Sequence, residues 1–494
     1  MTSKPEPLWL FADQLGRHIH SAPEHSDRDI ILIESTAALR RRGGHRQKAH
    51  LLLSGMRHLA AELGERAQLW QADGYRDALV ELGRPVVVHE PTSRAAHDFV
   101  HALVEEGLVA EVLPNPSFAL SREDFEKWAG TASSFRMETF YREQRRRFDI
   151  LMDGDRPAGG TWNYDHENRE SPPKSETLGV DPPWWPTEDE IDEQVRADLD
   201  ALEIEWSGAD GPRLFAVTTD EANEALRTFI DQRLATFGRY EDAIMGADWT
   251  MSHSLLSVPL NLSLLDPLDV VHAAEDAARS GDVDLAAAEG FIRQVIGWRE
   301  FIWHLYWHFG AEYMTNNKLD AHVPLPDWFR DLDADAVTAR CLSDALEGVR
   351  DRGWVHHIPR LMILGSHALQ RNYDPAELTE WFRANFVDGY EWVMPVNVIG
   401  MSQHADGGLM ATKPYTSGGA YINKMSDHCR SCDYNPKKRV GDDACPFTAG
   451  YWAFTHRHQE MLSANHRTAR AVSTMNRLSD LDAVLEQEAH REVF

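Results

Sequence analysis

A chain of 494 residues, 43% hydrophobic and 10% aromatic, is long enough for two or three domains with full cores. Its 50 basic and 79 acidic residues leave a formal charge of −29, which by itself speaks against nucleic acid as a general partner. No apolar run is long enough to span a bilayer, and MTSKPEPLWLFADQLG lacks the basic start and long apolar core of a signal peptide.

Residues 1–130 read as α/β. Short apolar runs at 8–12, 30–33, 68–71, 85–89 and 109–113 alternate with helical stretches such as 48–63 and 75–82. That alternation predicts a doubly wound, mainly parallel sheet. No G-x-G-x-x-G is present, so the dinucleotide fingerprint is absent. Asp13 and Gln14 follow the first strand and Glu34 the second, where the carboxyl ends of parallel strands line a ligand crevice. Helix capping and loop polarity account for these three residues equally well.

Residues 131–217 form a connector. A helix is expected over 135–152, carrying Arg142, Arg145, Arg146 and Arg147, followed by the Gly- and Pro-rich GGTWNYDHENRESPPKSETLGVDPPWWP. From Thr218, with Glu221 in capping-box spacing, the pattern turns helical and stays so. Further helices are expected near 255–265, 284–310, 336–350, 356–371, 376–388 and 447–464, with no strand after 220. Residues 218–494 thus read as one large all-α domain.

Polar groups in apolar settings mark three helical segments of that domain. His253, Ser254, Leu256 and Ser257 open a helix, where hydroxyls suit either a phosphate or an N-cap. In GFIRQVIGWREF, Arg293 and Arg299 sit among Trp298 and other apolar side chains and need a carboxylate or a phosphate. In GWVHHIPRL, His356 and His357 lie on adjacent helix faces with Arg360 one turn beyond His356; Trp381 and Asp388 follow on the next helix. Core packing is the plainer reading of Trp381 and of either histidine.

Three of the four cysteines, Cys429, Cys432 and Cys445, fall in HCRSCDYNPKKRVGDDACPF, and Cys341 lies far upstream. The C-x2-C spacing clasps a soft metal, and Cys445-Pro446 resembles the end of an iron–sulfur ligand run. Spacing alone leaves a Zn(Cys)4 staple and an Fe–S cluster equally open, and makes four unrelated core thiols the weakest choice. Metal-like cysteine usage also argues for a reducing, cytoplasmic setting. Only nine of the basic residues are lysines, and four of these lie between Lys413 and Lys438, together with Arg430 and Arg439. This loop and the arginine run are local basic patches able to bind phosphate, although a solvated loop and a solvated helix face explain them as well.

Taken together, these segments resemble the flavin-binding core of the cryptochrome/photolyase family. HHIPR is similar to the paired-histidine motif of (6-4) photolyases, HSLLS to the flavin-phosphate loop, and GWREF to the arginine-bearing helix. With KPYTSGGAYINKMSDHCRSCDYNPKKRVGDDACPF and GGTWNYDHENR, the resemblance covers nearly the whole chain. It narrows to the prokaryotic (6-4) photolyases with an iron–sulfur cluster, the FeS-BCP group.

That resemblance implies an α/β antenna domain (1–130), a connector (131–217) and a helical FAD-binding catalytic domain (218–494) holding a [4Fe-4S] cluster on Cys341, Cys429, Cys432 and Cys445. The antenna in this group is 6,7-dimethyl-8-ribityllumazine, with Asp13, Gln14 and Glu34 at the contact positions. His253, Ser254, Leu256 and Ser257 would meet the FAD phosphates with Arg299 as cationic partner, while Arg360 pairs with Asp388 beside the isoalloxazine. Met394 stands where the family faces flavin N5, with a thioether that donates no strong hydrogen bond. The implied reaction is light-driven repair of (6-4) photoproducts in UV-damaged DNA by electron transfer from excited FADH⁻, the lesion being flipped out of the duplex. His357 would donate the proton; the second histidine of animal (6-4) enzymes is replaced by Leu361. His356, Trp298 and Tyr421 would line the lesion pocket. Trp381 and Tyr390 fit the inner electron-transfer positions, Phe382 stands where a relative offers tyrosine, and Trp328 is the candidate outer member. A monomer without membrane contact is expected. Two other readings share parts of this pattern: a cryptochrome-like blue-light receptor, and a non-photoactive Fe–S helical protein like the primase large subunit.

Overall fold

The structure, a computed structural model, describes residues 4–132 and 134–494. Strands β1 (Leu8–Leu10), β2 (Ile30–Ser35), β3 (Ala67–Ala72), β4 (Val86–His89) and β5 (Val109–Leu113) form an all-parallel sheet in the order β3-β2-β1-β4-β5. The apolar runs IILI and VVV explain the centre: β1, β2 and β4 are buried along their whole length, as strands covered by helices on both faces must be. Edge strands β3 and β5 carry exposed positions instead. All five strands and both helices expected in this region are present.

Side chains leave the sheet in two directions. Trp9, Phe11, Ile31, Ile33 and Val88 pack under the helices Tyr75–Leu82 and Arg94–Glu105. Leu8, Leu10, Ile30, Leu32 and Val87 face the helix Arg46–Leu63, and this core runs on into Phe215, Phe229, Leu256, Leu262 and Phe291 of the helical part. A single apolar core therefore fastens the sheet to the helical part.

The connector holds more structure than its composition suggests. Its expected helix over 135–152 is Met137–Phe148; Asp149 then turns left-handed (φ 56°), and Met152 enters a small hairpin. A further helix, Glu190–Ala201, is capped by Asp189 and Asp192 and lies against Arg46–Leu63 through Ser54 Oγ, 2.6 Å from Asp192. It escapes pattern reading because EIDEQVRADLDA is acidic and its apolar stripe is only Ile191, Val195 and Leu199 wide.

Beyond Thr218 the chain is helical, and among the described residues no named strand follows. Thr218 caps the helix Thr219–Gln232, though the Glu221 carboxylate reaches the Val217 N–H and Arg213 rather than the N-cap itself. The long helix expected over 284–310 is real but interrupted: Leu285–Ile292 and Glu300–Phe309 flank a π-helical turn, Arg293–Arg299. Among the described residues no helix is long and apolar enough to cross a membrane.

Candidate functional site

The helical part holds three π-helical segments: Arg293–Arg299, Pro359–Gly365 and Val396–Ser402. Such segments widen a helix by one residue per turn and re-aim its side chains, and they collect at functional sites. The last two lie so close that a Cβ on Gly365 would meet Ser402 Oγ at 2.2 Å and the Arg360 carbonyl at 3.0 Å. Glycine there permits the approach.

The Pro359–Gly365 turn presents Arg360, whose two terminal nitrogens grip Asp388 at 2.8 and 3.0 Å while Nε donates to the Val355 carbonyl. Asp388 also accepts from Ser257 Oγ at 2.7 Å, and its backbone carbonyl accepts from Asn261. The pair is part-buried and lies over Phe386, with the guanidinium 4.3 Å from the ring centre. Thus Ser257, Arg360 and Asp388 form one hydrogen-bonded unit.

Beside it His253 and His356 stack face to face at 4.3 Å, and His357 stands edge-on 5.7 Å from His253. Burial pushes the first two rings well below the usual histidine range, with neighbouring histidines adding to the effect, so both are neutral. Their Nε2 atoms lack a hydrogen-bond partner among the described residues. Met251 and Leu255, flanking His253 and Ser254, have left-handed backbones (φ 44° and 57°), strain that marks built sites. A small cleft lies against Ser254 and Leu255, lined also by Trp184, Phe229 and Arg233.

His357 differs from its neighbours. It is exposed, and its Nε2 lies 3.4 Å from Asp242. Burial pushes the Asp242 carboxyl up, but the hydrogen bond and charge of His357, with Arg169 behind, outweigh it and leave it below its usual range. The half-buried Tyr421 hydroxyl is pushed up by burial and then by the same Asp242. Asp242 therefore joins His357 to Tyr421. Sequence reasoning missed Asp242 and Arg169; the only signal was the NYDHENR motif, whose Asp165 pairs with both Arg169 and Arg293.

The other expected members have partners of their own. Arg299, expected at the start of the Ser257–Asn261 helix, donates to the carbonyls of Leu260 and Ser117 at its far end and lies 4.2 Å over Phe118. Trp298 is half-buried near Phe301, and Leu256 is part of the shared core. Met394 is buried in one core with Trp381, Phe382 and Phe386. Trp381 donates to the Phe329 carbonyl at 3.0 Å, and its ring contacts are Phe329, Phe382 and Phe386. Tyr390 sits 5.4 Å from the Lys48 ammonium, a residue of the α/β part.

The four cysteines are brought together despite their separation in sequence. Cys341, from the helix Arg340–Arg352, faces Cys429, Cys432 and Cys445 across a cavity of about 290 Å³. Burial, and then the other three sulfurs, push the Cys341 thiol well up; burial likewise lifts Cys429 to about 12.

The chain is 38% identical over 488 residues to the (6-4) photolyase of Agrobacterium fabrum, covering 95% of each protein. The chain belongs to the cryptochrome/photolyase family. Residues 8–212 also match the family described as deoxyribodipyrimidine photo-lyase-related protein. The fold agrees with a bacterial class III photolyase from Agrobacterium tumefaciens (TM-score 0.62, 19% identity, 96% of this chain and 98% of that one). It agrees also with a cryptochrome from Synechocystis sp. PCC6803 (TM-score 0.57, 13% identity, 96% and 100%). Membership implies FAD as cofactor and DNA as substrate.

At the carboxyl end of the sheet, Asp13 is half-buried and pushed up by that burial, although Thr92 donates to it at 2.6 Å. Gln14, wholly buried, accepts the Phe11 N–H and donates to the Glu90 carbonyl. Both Glu34 oxygens are taken by Arg57 at 2.7 and 2.9 Å, with Gln71 adding a third donor. Of the arginine run, Arg145 is fully buried, its donors spent on the carbonyls of Ile150, Leu151 and Trp162. Arg142 and Arg147 pair with Glu138 and Asp124, so this helix offers DNA little free charge.

Proposed function

We propose that this protein uses light to repair (6-4) pyrimidine–pyrimidone photoproducts in UV-damaged DNA, with FAD held at the Arg360–Asp388–Ser257 unit. The observation that carries this is the contrast among the three histidines. Two are buried and neutral, with Nε2 atoms that have no hydrogen-bond partner among the described residues, while His357 alone is exposed and held by a carboxylate at 3.4 Å. An exposed imidazole fixed by a carboxylate is placed to pass a proton to a base that enters from solvent. The residues fit the flavin: the neutral rings of His253 and His356 supply free Nε2 atoms, and the Arg360–Asp388 pair supplies a fixed donor–acceptor edge. Bound FAD supplies a light-excited electron donor. Around it, Ser257 and Arg360 fix Asp388, and the buried Met394 and Phe386 exclude water. Asp242 orients His357 through Nε2, so the proton passed as the lesion's hydroxyl returns to its original base leaves from Nδ1. Trp298 and Tyr421 line the lesion's entrance, and a base there is one taken out of the stack.

Cys341, Cys429, Cys432 and Cys445 are assigned to a [4Fe-4S] cluster, supported by four thiols that line one cavity. An antenna, 6,7-dimethyl-8-ribityllumazine, is assigned to the Asp13, Gln14 and Glu34 region, and the protein acts as a monomer.

The test is illumination of the reduced, flavin-loaded protein with an oligonucleotide carrying one (6-4) product. Intact thymines should be recovered, and His357→Ala should lose recovery while keeping flavin. Photoreducible flavin without thymine recovery in the unmutated protein would overturn repair and leave a light-sensing role.

A further inference from the structure

The expected electron path through Trp381 is poor in oxidisable groups. The aromatic rings touching Trp381 are all phenylalanine, and Trp328 is reached only across Phe329, at 4.7 and then 5.6 Å between ring centres. Phenylalanine is far harder to oxidise than tryptophan, so a hole cannot rest on it.

A second line of aromatics has no such gap. Trp354, 5% exposed, lies 5.7 Å from the Arg360 guanidinium that holds Asp388. Trp249 is 5.6 Å from Trp354, and Trp185 is 5.8 Å from Trp249. Trp185, in the connector, is 39% exposed. Three tryptophans thus run from the flavin-binding unit to solvent. We propose that Trp354, Trp249 and Trp185 form an electron route to the flavin that is independent of Trp381; this rests on the flavin reading above.

The chemistry balances. Excited oxidised flavin takes one electron from Trp354, and the hole passes to Trp249 and then to Trp185. The Trp354 indole N–H is buried without a partner among the described residues, so its radical cation keeps its proton and hands the hole on. At Trp185 water accepts the indole proton, which traps the hole at the surface. A thiol in solution then returns one electron and one proton, ending as disulfide in pairs. Arg352 acts as a brake: its guanidinium lies 4.7 Å over Trp249, where a fixed positive charge disfavours a second one on the ring.

The experiment follows flavin photoreduction and tryptophan radicals, by transient absorption and electron paramagnetic resonance, in oxidised flavin-loaded protein with a thiol. Trp381→Phe should keep both photoreduction and a radical signal, and Trp249→Phe with Trp381→Phe should lose both. Trp185→Phe, an exposed and structurally mild change, should leave a radical that recombines before the thiol reaches it. Arg352→Gln should raise radical yield about tenfold, as removal of ~1.4 kcal/mol opposing the hole would. Complete loss of photoreduction in Trp381→Phe with flavin still bound overturns the route, as does a double variant equal to Trp381→Phe. Protein that purifies without flavin absorbance overturns the flavin reading itself, a distinct failure.

Discussion

Glu300 and Arg299 lie 3.5 Å apart, and Glu300 is wholly buried. Burial pushes Glu300 up to about 7 and Arg299 down to about 10, so desolvation outweighs the attraction between them. The Glu300 carboxyl accepts the N–H groups of Ala119 and Leu120, each at 3.1 Å, which ties the segment after β5 to the helical part. Its folded pKa, about 7, stands above the unfolded value of 4.5, so its stabilising contribution is complete below about pH 4.5. That contribution is lost as pH rises to about 7, an amount of roughly 3 kcal/mol. Glu300→Gln should lack this loss: urea midpoints of wild type should fall between about pH 5 and pH 8 and those of the variant should stay nearer level. Parallel curves would show that Glu300 ionises freely. In sequence, the arginines of GFIRQVIGWREF demanded a carboxylate or phosphate, and three carboxylates do surround Arg293. What sequence did not carry is that Arg299 spends donors on the carbonyls of Ser117 and Leu260.

Elements were legible where one physical rule dominated. The central strands are apolar without interruption, so both helix-covered faces could be read from IILI and VVV alone. The helix Glu190–Ala201 was hidden because its stability comes from a cap and from Asp192 reaching across to Ser54, which no local pattern encodes. The three π-helical segments were hidden for a similar reason, since their hydrogen-bond shift depends on tertiary packing such as Gly365 against Ser402. The cysteines stand between these cases: Cys429 and Cys432 announce a metal by spacing, but Cys341 joins them only because its helix packs beside the loop. If a cluster links these two elements, its binding energy is folding energy. Cys341→Ser or Cys432→Ser should therefore yield protein low in iron, with reduced helical circular dichroism and little retained flavin. Soluble, flavin-loaded protein from either variant would refute that role.

At the scale of the whole molecule, a charge of −29 has to coexist with binding to a polyanion. The structure resolves this by pairing. Arg142, Arg147, Lys438 and Arg439 have carboxylate partners, whereas exposed Lys413, Lys424, Lys437 and Arg430 form no salt bridge among the described residues. Lys424 shares the helix Gly419–Met425 with Tyr421, and Lys413 lies 5.9 Å from the Tyr415 ring. Contacts with phosphate rather than net charge set this energy, since each neutralised phosphate releases condensed counterions. Lys413→Ala and Lys424→Ala should each weaken DNA binding and lower the slope of log affinity against log salt by about 1. The loss should be equal for damaged and undamaged duplex, because phosphate contacts position without reading the lesion. Lys438→Ala, already paired with Asp443 at 2.6 Å, should leave the slope nearly unchanged and serves as the control. Equal slopes for all three variants would move the DNA-binding face away from this loop.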